Sequence, residues 1–480
     1  MKTKLIKNGK LISPQGSKTA DIYIEGEKIR RIGKNLLPET GSGIETDTEV
    51  IDASGKLIFP GFIDAHTHFD LHVAGTVTCD DFASGTKAAI AGGTTTIIDF
   101  GTQYHGETLR EGLYNWHRKA AAGCSCDYSY HMSISEWNET VAEECRVMMD
   151  EGISTFKLYM TYDDMLLQDK QLFEVLQRLK EVGGITGVHC ENAGMIDALR
   201  EEYASDPVRR SQVSSHYLTR PAAAEAEAIG RLLHLCEVAG CDVIDVHLSC
   251  EEGLKEIRAA RARGQKVYVE TCPHYLLLDH TSLDTADFSG AKFVCAPPLR
   301  TRHDRAVLWQ ALADGEIQTV STDHCSFTWE QRLLGKDDFR RIPGGLAGVE
   351  YRIPLLYSEG VAKGRITAGR LCEVCAENPA KLYGLYPKKG VIAEGADADL
   401  VILNPRETRV LSSKTQISRC DYCNYEGLSV HGVLDAVLLR GEIAAVRGQV
   451  MAENRGHFLR RGPSALELPA FPSRENAVRA

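Results

Sequence analysis

Six side chains spread between residues 66 and 323 have the types that hold divalent metal ions. His66 and His68 are separated by one residue, and alternate side chains of a β-strand share a face, so both imidazoles can address one space. Lys157, His189, His247 and Asp323 follow, each within or at the end of its own apolar, strand-like run. A His-x-His pair can equally be a hydrogen-bonded structural pair, and a lone histidine in Gly-Val-His189 or Asp-Val-His247 can be a satisfied core residue. Five strand ends that together supply His, His, Lys, His, His and Asp favour a metal centre, since imidazole nitrogen and carboxylate oxygen are common ligands of divalent metal ions.

Lys157 lies in Thr-Phe-Lys-Leu-Tyr-Met, a run that a sheet would bury on both faces. Burial disfavours the ammonium and lowers a lysine's pKa. Such a lysine either sends its head to solvent, pairs with an aspartate, or reacts as the neutral amine with carbon dioxide. The resulting carbamate is anionic and offers two oxygens that can bridge two metal ions.

These residues need a scaffold that brings strand ends together. Strand-like runs occur at Lys56–His66, Thr94–Phe100, Cys126–Ile134, Thr155–Met160, Ile185–His189, Val243–Leu248, Val267–Thr271 and Thr319–Thr322. Helical patterns such as Gln171–Glu181 and Ala222–Ala239 separate most of them. Strand–helix alternation of this count predicts an α/β fold, a (β/α)8 TIM-like barrel, whose chemistry sits at the C-terminal ends of the strands. A doubly wound open sheet shares the alternation but usually has fewer strands.

Short, Gly- and Pro-punctuated strand patterns fill the first 57 residues and return in Ala398–Leu403, Val433–Leu439 and Ile443–Gly448. Neither set can bury a sheet face alone, so both chain ends should build one small β-sandwich domain. The expected division is therefore 1–57 and 386–455 for the β-sandwich, 58–385 for the barrel and 456–480 for a tail that wraps a neighbouring surface or subunit.

The composition, 43% apolar and 25% charged over 480 residues, is that of a globular protein. A net charge of −11 argues against nucleic acid or an anionic membrane as partner. No apolar run approaches a membrane span, and the N-terminus lacks a signal-peptide core, so a cytoplasmic protein is expected. The 15 cysteines are scattered, often in apolar runs, as reduced buried thiols would be. The pairs Cys372/Cys375 and Cys420/Cys423 precede no helix in a thioredoxin-like context, and a structural zinc pair is the lesser alternative to plain buried thiols.

The motifs Gly61-Phe-Ile-Asp-Ala-His-Thr-His, Ala91-Gly-Gly-Thr-Thr-Thr-Ile-Ile-Asp, Phe156-Lys157, Val188-His189-Cys-Glu-Asn, Val246-His247-Leu-Ser, Ala296-Pro-Pro-Leu-Arg, Ser321-Thr-Asp323-His and Gly395-Ala-Asp-Ala-Asp-Leu-Val-Ile together resemble the hydantoinase/dihydropyrimidinase family of binuclear amidohydrolases. Among its members the chain looks closest to bacterial D-hydantoinases and phenylhydantoinases. The resemblance implies two zinc ions per subunit. His66, His68 and Asp323 would hold the more buried ion, His189 and His247 the other, with carboxylated Lys157 and a hydroxide bridging them. It implies that Tyr162 hydrogen-bonds the substrate, that the residues at Ala296 and Gly344 contact it through backbone, and that Asp323 moves the proton. The reaction implied is opening of a cyclic ureide, a hydantoin or dihydropyrimidine ring, to an N-carbamoyl amino acid, in a homo-oligomer that is often a tetramer.

Relatives usually carry Ser at position 296 and Asn at 344, so Ala296 and Gly344 point to a wider pocket or a looser loop, tolerant of bulky or polar 5-substituents. Dihydroorotases typically have Arg where this chain has Asp70, which would repel a substrate carboxylate; allantoinases usually have Asn there. An allantoinase-like or other cyclic-ureide hydrolase is the alternative. Non-catalytic scaffolding relatives of the collapsin-response-mediator type have lost metal ligands, whereas the set here is complete. His72, His131, His274 and His324 are not expected to be ligands, and Arg300 and Arg302 suit ion pairs as well as substrate contacts.

Overall fold

Gly61 divides the first strand-like run in two. β5 (Leu57–Pro60) joins the strands of the chain ends, and β6 (Phe62–Thr67) opens the barrel. The single run expected over Lys56–His66 is thus two strands of two sheets. Its pivot must be glycine, because a Cβ there would meet Thr95 Oγ1 at 2.1 Å and Asp399 Cβ at 2.7 Å. The computed structural model describes residues 3–37 and 48–468.

Among these residues, one sheet holds nine strands. The N-terminal part supplies β1 (Thr3–Ser13), β2 (Gly16–Glu25), β3 (Lys28–Gly33), β4 (Thr48–Asp52) and β5. A short hairpin, β7 (His72–Val73) and β8 (Thr76–Val77), follows β6. The other barrel strands are β9 (Thr94–Thr102), β10 (Asp127–Ser133), β11 (Thr155–Tyr159), β12 (Ile185–His189), β13 (Val243–Asp245), β14 (Val267–Thr271) and β15 (Thr319–Val320). Finally β16 (Leu400–Val410), β17 (Ser429–Leu439), β18 (Glu442–Val446) and β19 (Gln449–Val450) return to the terminal sheet, in the order β19-β18-β17-β16-β5-β1-β2-β3 with β4 beside β1. Its strands from both chain ends pack Ile6, Ile22, Ile24, Ile58, Leu400 and Leu438 into one cluster. Both chain ends therefore contribute to one apolar cluster that neither could bury alone.

The barrel runs β6-β9-β10-β11-β12-β13-β14-β15, all parallel. Helices such as Asp169–Val182 and Ala222–Ala239 cover it, with Leu172, Val175, Leu176 and Leu179 of the former buried. β15 returns to β6 at the seam. The main chain of His324 donates to His66 O (3.2 Å) and accepts from His68 N (2.8 Å). Asp64 receives both Thr322 N (3.0 Å) and Thr322 Oγ1 (2.8 Å). The fully buried Arg352 ties the same two strands by donating to Ile63 O and Val320 O.

The tail does not leave the subunit over its described length. Residues 456–468 cross the N-terminal end of their own barrel: Gly456 N donates to Cys124 O (2.7 Å), Leu459 N to Tyr128 O (2.7 Å), and Tyr268 Oη to Leu466 O (2.7 Å). Leu459 and Leu466 join Ile63, Ile98, Ile185 and Ile244 in the cluster that fills the barrel floor. This apolar floor is why the segment folds back on its own subunit. Residues 469–480 of the expected tail lie outside the described residues. No described helix is long and apolar enough to cross a membrane.

At the junction of the two sheets, buried Lys389 Nζ lies 2.6 Å from Asp127 Oδ2, 2.6 Å from Asp399 Oδ2 and 3.0 Å from Asp397 Oδ2, and Arg440 also pairs with Asp127. Removing one member of such a group leaves uncompensated buried charge, at a cost of about 3–5 kcal/mol. Lys389→Met should therefore lower the denaturant midpoint by that equivalent, and an unchanged midpoint would show that the network does not couple barrel and terminal sheet.

Candidate metal centre

The C-terminal ends of the barrel strands open into a cavity of about 580 Å³ lined by His66, His68, Lys157, Tyr162, His189, His247, Ala296, Asp323 and Gly344 among others. All the residues singled out from the sequence thus face one space. The geometry separates them into two groups.

The first is a set of three donors. His66 Nε2 lies 3.1 Å and His68 Nε2 3.0 Å from the same oxygen, Asp323 Oδ1. Ligand atoms of the three residues all fall within 4.8 Å of one another. His66 is oriented from behind, its Nδ1 lying 2.6 Å from Glu270 Oε1, so its other nitrogen faces the cavity. Burial opposes charging the His66 ring, but the carboxylates of Asp323 and Glu270 outweigh it and lift its pKa to about 9. Burial likewise works against the Asp323 carboxylate, yet the two imidazoles hold its pKa well below the ordinary value. Nitrogen and oxygen donors crowded on one point around a carboxylate suit a divalent cation.

The second group is His189 and His247, with ring centroids 4.6 Å apart. His189 Nε2 is taken by Glu191 Oε2 (2.7 Å), which leaves Nδ1 for the cavity. Glu191 is in turn paired with buried Arg220. Burial raises the pKa of the Glu191 carboxyl, but Arg220 and His189 bring it down to about 2. The His247 ring has no hydrogen-bond partner among the described residues, and burial together with Lys157 keeps it neutral. Two imidazoles alone make an incomplete site.

Lys157 supplies what could complete it. The side chain is 1% exposed and Nζ has no hydrogen-bond partner, an arrangement expensive for an ammonium. Phe100 and Tyr159 rings stand 5.1 and 5.2 Å from it. Burial lowers its pKa to about 8, against the pull of Asp323 and Glu270.

Three of these residues hold left-handed backbone: Tyr162 (φ 70°), His247 (φ 47°) and Asp323 (φ 50°). Non-glycine residues are strained there and persist where surrounding structure fixes them, typically at functional sites. Tyr162 remains 38% exposed, its ring against His189 (5.1 Å) and beneath the Arg220 guanidinium (5.6 Å).

The four histidines not expected to be ligands lie in different settings. His131 is a core residue bonded to Thr155 Oγ1 and Ala65 O. His324 bonds to Asp80, and His72 is exposed on β7, at the cavity rim. His274 is buried against Tyr275. Arg300 pairs with Glu225 and Arg302 with Asp279. All 15 cysteines are free thiols. Glu270, Glu191 and Arg220 escaped the sequence reading, although an acid inside the apolar run Val-Tyr-Val-Glu270-Thr is itself a signal.

Carboxylates that orient metal-bound imidazoles typically contribute 10–100-fold to metal affinity. Glu270→Gln should weaken metal retention by about that factor in chelator competition. Retention equal to the parent protein would show that Glu270 does not set the His66 ring.

Comparison with known proteins gives a consistent picture. Residues 57–444 match the model of the amidohydrolase family. The chain is 44% identical to a D-hydantoinase of Geobacillus stearothermophilus, over 96% of each chain. It is 42% identical to a D-phenylhydantoinase of Escherichia coli, over 96% of this chain and 98% of the other. The crystal structure of dihydropyrimidinase from Brevibacillus agri NCHU1002 superposes with a TM-score of 0.93 at 40% identity, over 97% of this chain and 100% of that one.

Proposed function

The chain belongs to the amidohydrolase family, in its hydantoinase/dihydropyrimidinase branch, and from that premise we propose that it opens a hydantoin or dihydropyrimidine ring to an N-carbamoyl amino acid with two zinc ions. The observation that carries this reading is the partnerless, buried Lys157 beside a pair of imidazoles that lacks an anionic ligand. Carboxylation of its amine removes a buried cation and provides that ligand to both groups at once.

In this reading His66, His68 and Asp323 would hold one ion and His189 and His247 the other, with carboxylated Lys157 as the anionic ligand available to them. Such ions, when bound, acidify a water molecule and polarise a carbonyl. The protein's residues do the rest. Asp323, fixed between two imidazoles, takes the proton from the attacking water as the new C–O bond forms and returns it to the ring nitrogen as the C–N bond breaks. The Tyr162 hydroxyl donates to the oxygen on which negative charge develops. Glu191 and Glu270 keep their imidazoles in the tautomer that faces the cavity. Ala296 and Gly344 present little side chain to the substrate, and a cavity of about 580 Å³ leaves room beyond the ring, so bulky or polar 5-substituents are accepted.

Asp323→Asn and Lys157→Ala should each abolish measurable turnover, and near-parental rates in either would refute the assignment. Tyr162→Phe should lower kcat by about 10²–10³, the usual cost of one oxyanion donor. The substrate class is decided by assaying zinc- and bicarbonate-supplied protein on dihydrouracil, phenylhydantoin, allantoin and dihydroorotate. Phenylhydantoin should be opened best, and a strong preference for unsubstituted dihydrouracil would count against the roomy cavity.

Carboxylation should also follow pH. Only the neutral amine reacts, so in metal-free protein at fixed dissolved carbon dioxide the carboxylated fraction should rise as pH passes upward through about 8. Carbon-13 NMR of labelled carbamate reads this directly. A flat profile across that range would remove Lys157 from the scheme.

A further inference from the structure

One wall of the cavity is made by two irregular segments that carry almost no side chain toward it: Ala296, and the pair Gly344–Gly345. What these positions offer a substrate is backbone amide, the complement of a ring built from –CO–NH– units. Backbone can recognise such a ring only if it is held still.

Gly345 is required where it stands. Its φ is 148°, and a Cβ would lie 2.5 Å from Cys325 O. Gly344 is different: an added Cβ would come no nearer than 3.9 Å, to Cys295 Cα, so packing does not demand glycine. Two successive glycines place few limits of their own on the chain. The restraint must come from outside the segment.

It comes from Arg332, at the end of the short helix Trp329–Arg332. Its side chain is fully buried. The guanidinium donates through Nη1 to Val294 O (3.1 Å) and to Pro343 O, through Nη2 to Gly345 O, and through Nε to Tyr422 Oη (2.9 Å). Its carbon stands 5.3 Å from the Phe327 ring. Among the described residues no carboxylate pairs with it, so a full charge is buried with only carbonyl and hydroxyl oxygens around it. That is a costly way to stabilise a loop and an effective way to fix one. Three of the four bonds go to the two wall segments, and Gly345 N adds a direct link to Val294 O (2.9 Å).

We infer that Arg332 is a positioning residue for substrate recognition, stapling the 294–296 and 343–345 segments into the single backbone surface against which the cyclic amide ring lies. This rests on the ring-opening activity proposed above. The role depends on the planar fork of donors as well as on charge, so lysine cannot replace it.

The test uses Arg332→Lys and Arg332→Met, with Tyr422→Phe as the variant that removes the one bond not made to the wall. Steady-state kinetics on whichever cyclic amide the parent enzyme opens, metal content and hydrogen–deuterium exchange of residues 343–346 are measured together. In R332K, KM should rise about tenfold with kcat within about threefold, the signature of lost binding surface rather than lost chemistry. Metal content should be unchanged, and exchange at residues 343–346 should be faster. Y422F should leave KM within about twofold. R332K with parental KM and parental exchange overturns the inference, whether or not its melting temperature falls, as does a loss confined to kcat or to metal content. If R332M does not fold, R332K decides alone. If the parent opens no cyclic amide, the proposed function fails, and the exchange measurement still decides whether Arg332 holds the wall.

Discussion

Closure of the barrel and assembly of the first ligand group are one event. The seam between β6 and β15 is made by main-chain bonds from His324 to His66 and His68 and by the bonds between Asp64 and Thr322. These contacts set the two chain segments in a register that puts Asp323 opposite both imidazoles. Asp323 reaches that place only by adopting left-handed backbone. His324 holds it there through Nε2 to Asp80 and through Nδ1, which accepts from Gly348 N and Val349 N. A chain that failed to close this seam would have neither a barrel nor a site.

Charge is handled within the same frame. Buried ionisable groups are tolerated when they are paired or when the burial changes their protonation. Glu270 and Glu191 are paired, each with an imidazole behind the cavity. Lys157 is not, and its lowered pKa is the consequence. A cyclic amidohydrolase needs a strongly polarising centre in a dry space, and the cavity base meets that need with few charges that are free to rearrange. The left-handed backbone at Tyr162, His247 and Asp323 lies where the oxyanion, ligand and proton-transfer roles are proposed.

Much of this was legible in the chain. The barrel strands were visible as apolar runs because a barrel buries both faces of each strand. The ligand candidates were visible because packing alone seldom puts charged or imidazole side chains at the ends of such runs. The two helices cited coincide with amphipathic or Ala-rich patterns, and Ala222–Ala239 matches its expected limits. What could not be read depends on tertiary proximity. Gly61 sits in a continuous apolar run, and only the approach of Thr95 and Asp399 shows that the chain must change sheets there. Arg220 and Arg332 lie in ordinary polar surroundings in sequence; Glu191 is 29 residues from the first, and Val294 and Tyr422 are 38 and 90 from the second. The tail's Arg and Pro content pointed to a wrap over a neighbouring surface or subunit, and what the sequence did not show is that Leu459 and Leu466 pack into the barrel floor.

The two ends of the barrel present the same physical problem and receive the same answer. Backbone carbonyls of strands and loops brought together from distant parts of the chain need donors, and each group left unsatisfied is costly. A guanidinium has five donors in a rigid plane, more than any other side chain. At the floor, Arg461 donates to Tyr130 O, Tyr383 O, Ser129 Oγ and Thr155 Oγ1, and burial lowers its pKa to about 9. At the seam, Arg352 binds the carbonyls of Ile63 and Val320. At the cavity wall, Arg332 does so for Val294, Pro343 and Gly345. The floor is thereby sealed by a segment that carries Leu459 and Leu466, while the wall stays open because its segments carry glycine and alanine. The difference between a plug and a binding surface lies in the side chains of the segment being held, since the means of holding it is common to both.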